Sequence, residues 1–338
     1  MRKLSRRSLS VPVTFVITFI YLALLPVLCL YGLIADTIRR RPQLLIRFHA
    51  SMSSIMSAHV IGLVALFGIW IGSGRFLNLN HDTFQRWSFR LEQWWGDLIF
   101  RIAEFCYGAE FIVLGDECLE PGPVVVFARH TSVLDTMLPL RLIENWHGMV
   151  ARIVKKHVLL WDPCVDSISQ RLPRTFVRRG ASDHERQLDM VRQLSGGMGT
   201  NDALWMYPEG TRFTAKKRQR VMDSLAQRHP DALERAQQFE YVLPPRPGGT
   251  LALLEQCEGM DIVFCAHTGM ELANRLENFK SGSLYKRKVH IEFWRVPAVE
   301  IPKGREERIA WMHEQWLRVD RWVAQRQDPD ITEALKHQ

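Results

Sequence analysis

Two short stretches of the sequence bring together residue types that transfer protons and bind anions. One is the hexapeptide HTSVLD at 130–135, and the other is the pentapeptide PEGTR at 208–212. A carboxylate such as Asp135 fixes an imidazole tautomer by accepting its Nδ1 proton, and Nε2 of His130 is then free to take a proton from an alcohol. This pair predicts general base catalysis without a serine nucleophile, in which a hydroxyl of the substrate attacks.

The spacing of the histidine and the aspartate limits how the chain can carry them. Residues five apart on one continuous helix lie about 140° apart around its axis, so their side chains do not meet. His130 and Asp135 meet if the histidine precedes a helix and the aspartate lies on its opening turns. A metal site formed with Glu209 is the alternative, but the histidine-pair spacings typical of zinc are absent from the sequence. We therefore expect no metal.

The second stretch has the composition of an anion site. Gly210 permits a tight turn or a close backbone approach, and the planar fork of Arg212 binds a phosphate through paired hydrogen bonds. Glu209 either holds Arg212 in position or contacts hydroxyl groups of a substrate. The alternative is a surface turn closed by a salt bridge.

Both stretches follow apolar runs with the character of buried strands, at 123–129 and 203–207. Ligands and catalytic groups collect at the carboxyl ends of the strands in open α/β sheets. We therefore expect both motifs to lie on one rim of a sheet.

Strands and helices alternate along the rest of the chain. The patterns predict strands at 109–115, 149–154, 174–177, 261–267 and 289–296, and helices at 132–145, 183–197, 215–229, 231–238, 249–256 and 305–325. This alternation predicts an α/β fold with a mostly parallel sheet flanked by helices. We assign this domain to residues 109–338.

The N-terminal part of the chain has a different composition. Residues 11–35 contain no charged residue, a run longer than the roughly 20 residues that cross a bilayer. The apolar region of a cleaved signal peptide is about half as long, so a retained membrane helix is favoured. A second apolar segment runs from 52 to 72. Residues 1–74 are therefore predicted to form a membrane-anchoring helix pair.

Basic residues indicate how these helices meet the membrane. Arginines at 39–41 separate the two apolar segments, and the N-terminus is also basic, a distribution that the positive-inside rule disfavours for two full spans. A hairpin dipped into one leaflet of the inner or cell membrane is favoured, with its flanks and the catalytic domain on the cytoplasmic side; two full spans are the alternative. Residues 75–108 are amphipathic and aromatic, which predicts an interfacial or linking helix; a helix that packs into a core is the alternative.

Overall composition restricts the partners. A net charge of +8 and a pI near 9.3 favour anionic partners. The six cysteines include no C-x-x-C pair, so we expect reduced thiols and no structural zinc. No nucleic-acid-binding motif accompanies the charge, and the apolar N-terminal segment argues against a nucleic-acid partner.

In this order and separation, HTSVLD and PEGTR resemble the two principal motifs of the glycerophospholipid acyltransferase family, particularly its lysophosphatidic acid acyltransferases. Three weaker likenesses support this. Residues 155–158 resemble the lysine-containing block of the family, residues 176–179 resemble its F-[VI]-x-R end, and residues 242–249 resemble its proline-containing fourth block. The resemblance covers about residues 90–270.

The resemblance implies a glycerol-3-phosphate acyltransferase-like fold and an enzyme that moves a fatty acyl group to the sn-2 hydroxyl of lysophosphatidic acid, forming phosphatidic acid. The donor would be an acyl thioester, either acyl-CoA or acyl carrier protein, with no bound cofactor. The catalytic pair would be His130 as general base and Asp135 as its orienter. The residues implied in substrate binding are Glu209, Gly210, Thr211, Arg212, Lys156 and Arg179.

The sequence also departs from the family pattern. His157 stands where the family often has an acidic residue, and residues 219–238 form a long charged segment beside the site. The acceptor therefore stays open: another lysophospholipid or a lyso-aminolipid is the alternative substrate. A non-catalytic membrane protein that binds lipid on the same fold is the alternative class.

Overall fold

The computed structural model describes residues 3–77, 81–172, 174–177 and 192–336. The chain divides into two compact units. The first comprises Met1–Ala109, Val154–Gly180 and Leu276–Lys286, and the second comprises Glu110–Ile153, Ala181–Arg275 and Arg287–Gln338. Two segments that the sequence patterns assign to the α/β domain, 154–180 and 276–286, thus belong to the first unit.

Seven strands form the sheet, and each corresponds to a predicted strand within two residues. They are β1 (Glu110–Leu114), β2 (Val124–Ala128), β3 (Val150–Lys156), β4 (Arg174–Val177), β5 (Asp202–Met206), β6 (Asp261–Thr268) and β7 (Lys288–Val296). Their order in the sheet is β1-β7-β6-β2-β5-β3-β4. The β6–β7 pair is antiparallel, and the β1–β7, β2–β5, β2–β6 and β3–β5 pairs are parallel. The predicted fold class, a mostly parallel sheet flanked by helices, is confirmed.

The central strand β2 positions the site. Each of its residues is buried, as expected for a strand covered on both faces. Phe127 of β2 is aligned with Met206 of β5 and with Phe264 of β6. Because all three strands run in the same direction, HTSVLD and PEGTR leave the sheet at the same edge.

The α-helices of the described residues are divided between the two units. With bounds, they are α1 (Lys3–Ile38), α2 (Leu44–Gly72), α3 (His81–Tyr107), α4 (Pro163–Ser169), α5 (Ala215–Arg228), α6 (Pro230–Gln237), α7 (Pro247–Gln256), α8 (Leu276–Ser281), α9 (Arg305–Arg326) and α10 (Pro329–Lys336). Residues 192–195 are helical as predicted, whereas the start of that predicted helix at Asp183 lies outside the described residues.

The predicted helix at 132–145 is wrong in detail. A 3₁₀ turn spans Leu134–Met137, and a π-helical segment spans Leu140–Trp146. Pro139 has no N–H to donate to the carbonyl of Asp135, which an α-helix would require, and the Tyr207 hydroxyl donates to that carbonyl instead, at 3.0 Å. That carbonyl also accepts from the amide of Leu138, so the chain after HTSVLD forms two short helical segments of different type and not one regular α-helix.

In the first unit, α2 packs against both α1 and α3. By length and composition alone, residues Ser5–Ile38 and Leu44–Gly72 are long and apolar enough to cross a membrane. The N-terminal end of α1 is fixed by charge: Arg6 and Arg7 donate to the buried carboxylate of Asp166 in α4 at 2.8 and 2.7 Å. An apolar helix pair is thus joined to its unit by a buried ion pair.

Candidate active site

His130 and Asp135 form a hydrogen-bonded pair where the chain leaves β2. Nδ1 of His130 lies 2.9 Å from Oδ1 of Asp135. The five-residue spacing permits this contact because residues 130–133 precede the 3₁₀ turn and fold back over the carboxylate. Since an ionised carboxylate only accepts hydrogen bonds, Nδ1 carries the proton in this pair.

The backbone of the same loop completes the environment of Asp135. The amides of Thr131 and Ser132 both donate to Oδ2 of Asp135, at 2.6 Å each. Burial acts to raise the pKa of Asp135, but the His130 imidazole, His267 and the Ser132 amide outweigh it and hold that pKa below its ordinary value. Asp135 is therefore a fixed negative charge behind the imidazole.

One face of the imidazole is covered, while its second nitrogen is left available. The rings of His130 and Tyr207 are stacked with centroids 4.3 Å apart. The His130 side chain keeps 7% of its surface exposed, whereas that of Asp135 keeps none. Within the described part of the chain, no hydrogen bond engages Nε2 of His130. The imidazole is thus oriented by one nitrogen and can exchange a proton at the other.

Glu209 connects the backbones of three loops. Its Oε1 accepts from the amide of His130 at 3.2 Å, and its Oε2 accepts from the amide of Leu243 at 3.3 Å. Burial raises the pKa of Glu209 to about 8, against the opposite effect of the Arg129 charge. The sequence suggested that Glu209 either holds Arg212 or contacts hydroxyl groups of a substrate. In the structure its carboxylate oxygens instead accept from backbone amides.

Gly210 and Arg212 take up the geometry that an anion site needs. Gly210 has a φ of +65°, and a Cβ added there would lie 2.9 Å from Cδ of Arg246. The Arg212 guanidinium donates to Oδ1 of Asn274 at 3.0 Å, and Nδ2 of Asn274 donates to the carbonyl of Thr131 at 2.9 Å. One asparagine therefore links Arg212 to the loop that carries His130.

The region that contains both motifs matches a known family, because residues 110–250 match the family model described as Acyltransferase. The chain carries an acyltransferase domain. It is similar to lysocardiolipin acyltransferase 1 from Danio rerio (24% identity over 242 residues, 70% of this chain and 61% of the relative) and from Mus musculus (23% over 247, 71% and 63%). It is also similar to 1-acyl-sn-glycerol-3-phosphate acyltransferase epsilon from Mus musculus (25% over 259, 73% and 70%).

The chain spans about six tenths of the length of the two lysocardiolipin acyltransferases. A solved structure is similar as well: the 1-acyl-sn-glycerophosphate acyltransferase PlsC from Thermotoga maritima, with a TM-score of 0.52 at 16% identity, over 83% of this chain and 98% of that chain. At this identity the likeness shows the fold alone. The family resemblance read from the motifs is confirmed.

A buried layer beneath the His130 loop was not predicted from the sequence. Arg129 is fully buried and donates to Oε1 of Glu271 at 2.5 Å, to the carbonyl of His267 at 2.7 Å and to that of Tyr241 at 2.9 Å. Burial acts to raise the pKa of Glu271, but the Arg129 charge and its hydrogen bond lower it below the ordinary value. This ion pair fixes the residue that directly precedes His130.

His267 belongs to the same layer of the acyltransferase domain. Its Nε2 donates to the carbonyl of Arg129 at 2.7 Å and lies 3.9 Å from Oδ2 of Asp135. Burial lowers the pKa of His267, against the opposite effect of the nearby Asp135 charge. Its position in the sequence could have indicated that His267 lies near the site. His267 is close to the end of β6, at the edge of the sheet where β2 also ends.

The side chains of two predicted substrate-binding residues lie outside the described residues. The backbone of Lys156 ends β3, and its side chain is outside the described residues. Arg179 also lies outside them. Among the residues that the structure describes, no group of three histidine, cysteine, aspartate or glutamate side chains is arranged to hold a metal ion.

Proposed function

We propose that this chain is a membrane-bound acyltransferase that transfers a fatty acyl group from an acyl thioester to the sn-2 hydroxyl of lysophosphatidic acid, forming phosphatidic acid. The observation that carries the proposal is the His130–Asp135 pair, with an oriented Nδ1 and an available Nε2 on a loop that Asn274 links to Arg212. A charged orienter behind a histidine is of use to proton transfer, and lipid binding alone does not require it.

In the proposed reaction, Nε2 of His130 takes the proton of the acceptor hydroxyl as its oxygen attacks the thioester carbonyl carbon. The carbon–oxygen ester bond forms and the carbon–sulfur bond breaks. The departing thiolate takes back the proton from the imidazolium, so the enzyme ends in its starting state. Asp135 stabilises the imidazolium between these steps, because its carboxylate is held ionised beside Nδ1.

Arg212 supplies the acceptor specificity in this proposal. One of its guanidinium nitrogens donates to Asn274, and the remaining donors of the planar fork suit a phosphate. A phosphate held there lies on the loop system that also holds the base. Lysophosphatidic acid presents its phosphate one carbon away from the sn-2 hydroxyl, so a single site can fix both groups.

The relatives favour a second acceptor. Two of the similar proteins are lysocardiolipin acyltransferases, so a lysolipid with two phosphates is the alternative substrate of the same site. The chemistry at His130 would be unchanged, since both acceptors present a free glycerol hydroxyl.

An acceptor screen tests these proposals. Membranes that contain the protein receive radiolabelled acyl-CoA with lysophosphatidic acid, monolysocardiolipin, lysophosphatidylcholine or a lyso-aminolipid, and acyl carrier protein replaces CoA in a parallel series. Labelled phosphatidic acid, absent with His130→Ala, is the expected result. Transfer to another acceptor without phosphatidic acid selects the alternative substrate, and no transfer to any acceptor from either donor contradicts the enzyme proposal.

For the N-terminal helices we propose a hairpin that lies in one leaflet. Within the first unit, α2 contacts polar segments near both ends: Arg47 donates to the carbonyl of Cys106 at 2.8 Å, and Arg171 donates to the carbonyl of Leu66 at 3.0 Å. Nineteen residues of helix separate Arg47 from Leu66, or about 28 Å, close to the thickness of the hydrocarbon core. A full span would place one of these guanidinium contacts across the membrane.

A topology probe distinguishes the two arrangements. A single cysteine at Arg40, in a background whose native cysteines are replaced, is labelled in intact cells and in inverted vesicles with a membrane-impermeant maleimide. The dipped hairpin predicts labelling from the same face as a cysteine at Lys216. Labelling of position 40 from the opposite face supports two full spans.

A further inference from the structure

An open cleft beside the PEGTR turn is not used by the mechanism above. It has a volume of about 330 Å³ and lies within the second unit. Its wall combines three cations, two hydroxyl groups and two aliphatic side chains: Lys217, Arg220, Arg246, Thr211, Ser224, Val221 and Leu225. None of the residues that line it is acidic, so the cleft has a net positive charge.

The cleft is built onto the turn that holds Arg212. Thr211 belongs to both, and Nζ of Lys217 donates to the carbonyl of Arg212 at 2.8 Å. Arg246 lies against the turn because Gly210 has no side chain: an added Cβ would meet Cδ and Nε of Arg246 at 2.9 and 3.0 Å. Two of the three lining cations, Lys217 and Arg246, therefore lie against the turn that carries the proposed phosphate site.

Helix α5 supplies most of the charge. Thr214 caps its first turn by accepting from the amide of Lys217 at 3.2 Å, and five of its fourteen residues are basic while one is acidic. In the part of the chain that the structure describes, Arg220 and Arg246 form no ion pair with a carboxylate of the protein. Exposed guanidinium groups without acidic partners, gathered in one concavity, are available to an anion.

We infer that this cleft is a second phosphate subsite, which receives a phosphate ester carried by one of the two substrates. The inference rests on the proposed function. Two sources share this chemistry: the nucleotide phosphates of a coenzyme A thioester, and the second phosphate of a lysolipid that has two. Val221 and Leu225 provide the apolar wall against which a ribose, a base or a glycerol unit packs.

The test removes one lining charge at a time from the full-length protein in lipid nanodiscs. Arg220→Gln and Arg246→Gln are compared with Lys216→Gln, which removes a charge from the same helix but does not line the cleft. KM is measured for acyl-CoA against an acyl-pantetheine thioester, which lacks the nucleotide. It is also measured for lysophosphatidic acid against monolysocardiolipin, which carries a second phosphate.

Loss of an exposed arginine–phosphate contact is expected to raise KM roughly three- to tenfold at low salt, with a smaller effect at high salt. A rise for acyl-CoA alone assigns the cleft to the donor nucleotide, and a rise for monolysocardiolipin alone assigns it to the acceptor. The inference is overturned if all KM values equal those of Lys216→Gln, or if the increases are the same for substrates with and without the extra phosphate.

A binding measurement separates failure of this inference from failure of the proposed function. Inorganic pyrophosphate, the minimal probe common to both sources, is titrated into the wild-type protein and into the Arg220→Gln/Arg246→Gln double variant. Binding to the wild type that weakens at least fivefold in the double variant, but not in Lys216→Gln, supports the subsite even if no acyl transfer is found. Equal affinities, or no binding by the wild type, contradict it.

Discussion

The loop after β2 and the turn after β5 each bury a carboxylate, and the two behave in opposite ways. Asp135 accepts two backbone amides at 2.6 Å and an imidazole at 2.9 Å, whereas Glu209 accepts two amides at 3.2 and 3.3 Å. Burial acts on both, but partners lower the pKa of Asp135 while burial raises that of Glu209 to about 8. The charge of a buried carboxylate therefore depends on whether its partners outweigh the effect of burial.

This difference separates two functions within one site. In the proposed reaction, an ionised Asp135 stabilises an imidazolium that exists only between the two proton transfers. A largely protonated Glu209 joins the loops of His130 and Leu243 without placing a second negative charge near the base. Glu209 thus contacts the backbone of His130, whereas Asp135 contacts its imidazole.

The largest expected effect is the loss of activity when Asp135 is replaced. Asp135→Asn removes the charge and preserves the size of the side chain, so the imidazolium loses its stabilisation and the tautomer is no longer fixed. We expect kcat/KM to fall roughly 10²- to 10⁴-fold. Initial rates of labelled acyl transfer measure it. Asp116→Asn, a carboxylate of the same domain outside this site, is the matched control, and a loss below fivefold for Asp135→Asn would falsify the orienting role.

The next largest expected effect is the loss of stability when the buried ion pair between Arg129 and Glu271 is broken. Arg129→Met leaves the Glu271 carboxylate buried without its partner, and we expect a loss of about 3–5 kcal/mol in the free energy of unfolding. The double variant Arg129→Met/Glu271→Gln is expected to be more stable than Arg129→Met alone. Urea unfolding of purified protein in detergent measures both.

The control for this ion pair is Arg326→Met, which breaks the half-exposed pair with Glu292. We expect that change to cost less than about 1 kcal/mol. Glu271→Gln is measured alone as well. If Arg129→Met/Glu271→Gln loses as much free energy of unfolding as the two single variants added together, Arg129 and Glu271 act independently and the pair does not support both loops as a unit.

The raised pKa of Glu209 predicts that the stability of the protein depends on pH. Because the pKa of folded Glu209 is about 8 and the ordinary value is 4.5, the folded state binds more protons between these values. Stability from this residue is therefore complete below about pH 4.5 and is lost as the pH rises through 8, by at most about 1.4 kcal/mol per pH unit. Thermal unfolding from pH 5 to 8 should show a smaller decline in Tm for Glu209→Gln than for the wild type.

Only the change of Tm with pH tests this prediction. The absolute Tm of Glu209→Gln does not, because its amide faces backbone N–H donors and destabilises the variant equally at every pH. Glu240→Gln, at an exposed carboxylate, should leave the wild-type slope unchanged. Asp135 has the opposite effect on stability, because its pKa is lower in the folded state than its ordinary value. The stability from Asp135 is present above the ordinary pKa and is lost as the pH falls through the folded pKa. Parallel slopes for the wild type and Glu209→Gln would mean that both carboxylates are ionised.

The smallest expected effect comes from the contact that joins the two regions. Tyr207→Phe removes the hydroxyl that donates to the carbonyl of Asp135 at 3.0 Å and keeps the ring stacked on His130. We expect a loss of about 1 kcal/mol in stability and a few-fold decrease in kcat. Tyr207→Leu, which also removes the ring, should lower kcat further. If the two variants are equal in kcat, the stacked ring does not help to orient the imidazole.

Local sequence was sufficient for the elements and for the position of the motifs. The apolar run of β2 and the motif that follows it predicted a strand ending in reactive residues, and the helix predicted at 215–229 matches α5. These features depend on periodicity, caps and turn residues within a few positions, so a single sequence contains them. The predicted helix at 132–145 failed at Pro139, which has no N–H for the carbonyl of Asp135; the amide of Leu138 and the hydroxyl of the distant Tyr207 donate to that carbonyl.

The chemistry of the site was a different matter. The residue types of HTSVLD and PEGTR determined which reaction this chain is suited to, and their order along the chain determined the family. Only the tertiary structure decided that Glu209 holds backbone amides and not Arg212, that Asn274 bridges the two loops, and that Arg129 is paired with Glu271. The reason is physical: these contacts join residues that are far apart in sequence, and the charge of each carboxylate depends on partners and burial that exist only after the strands have paired.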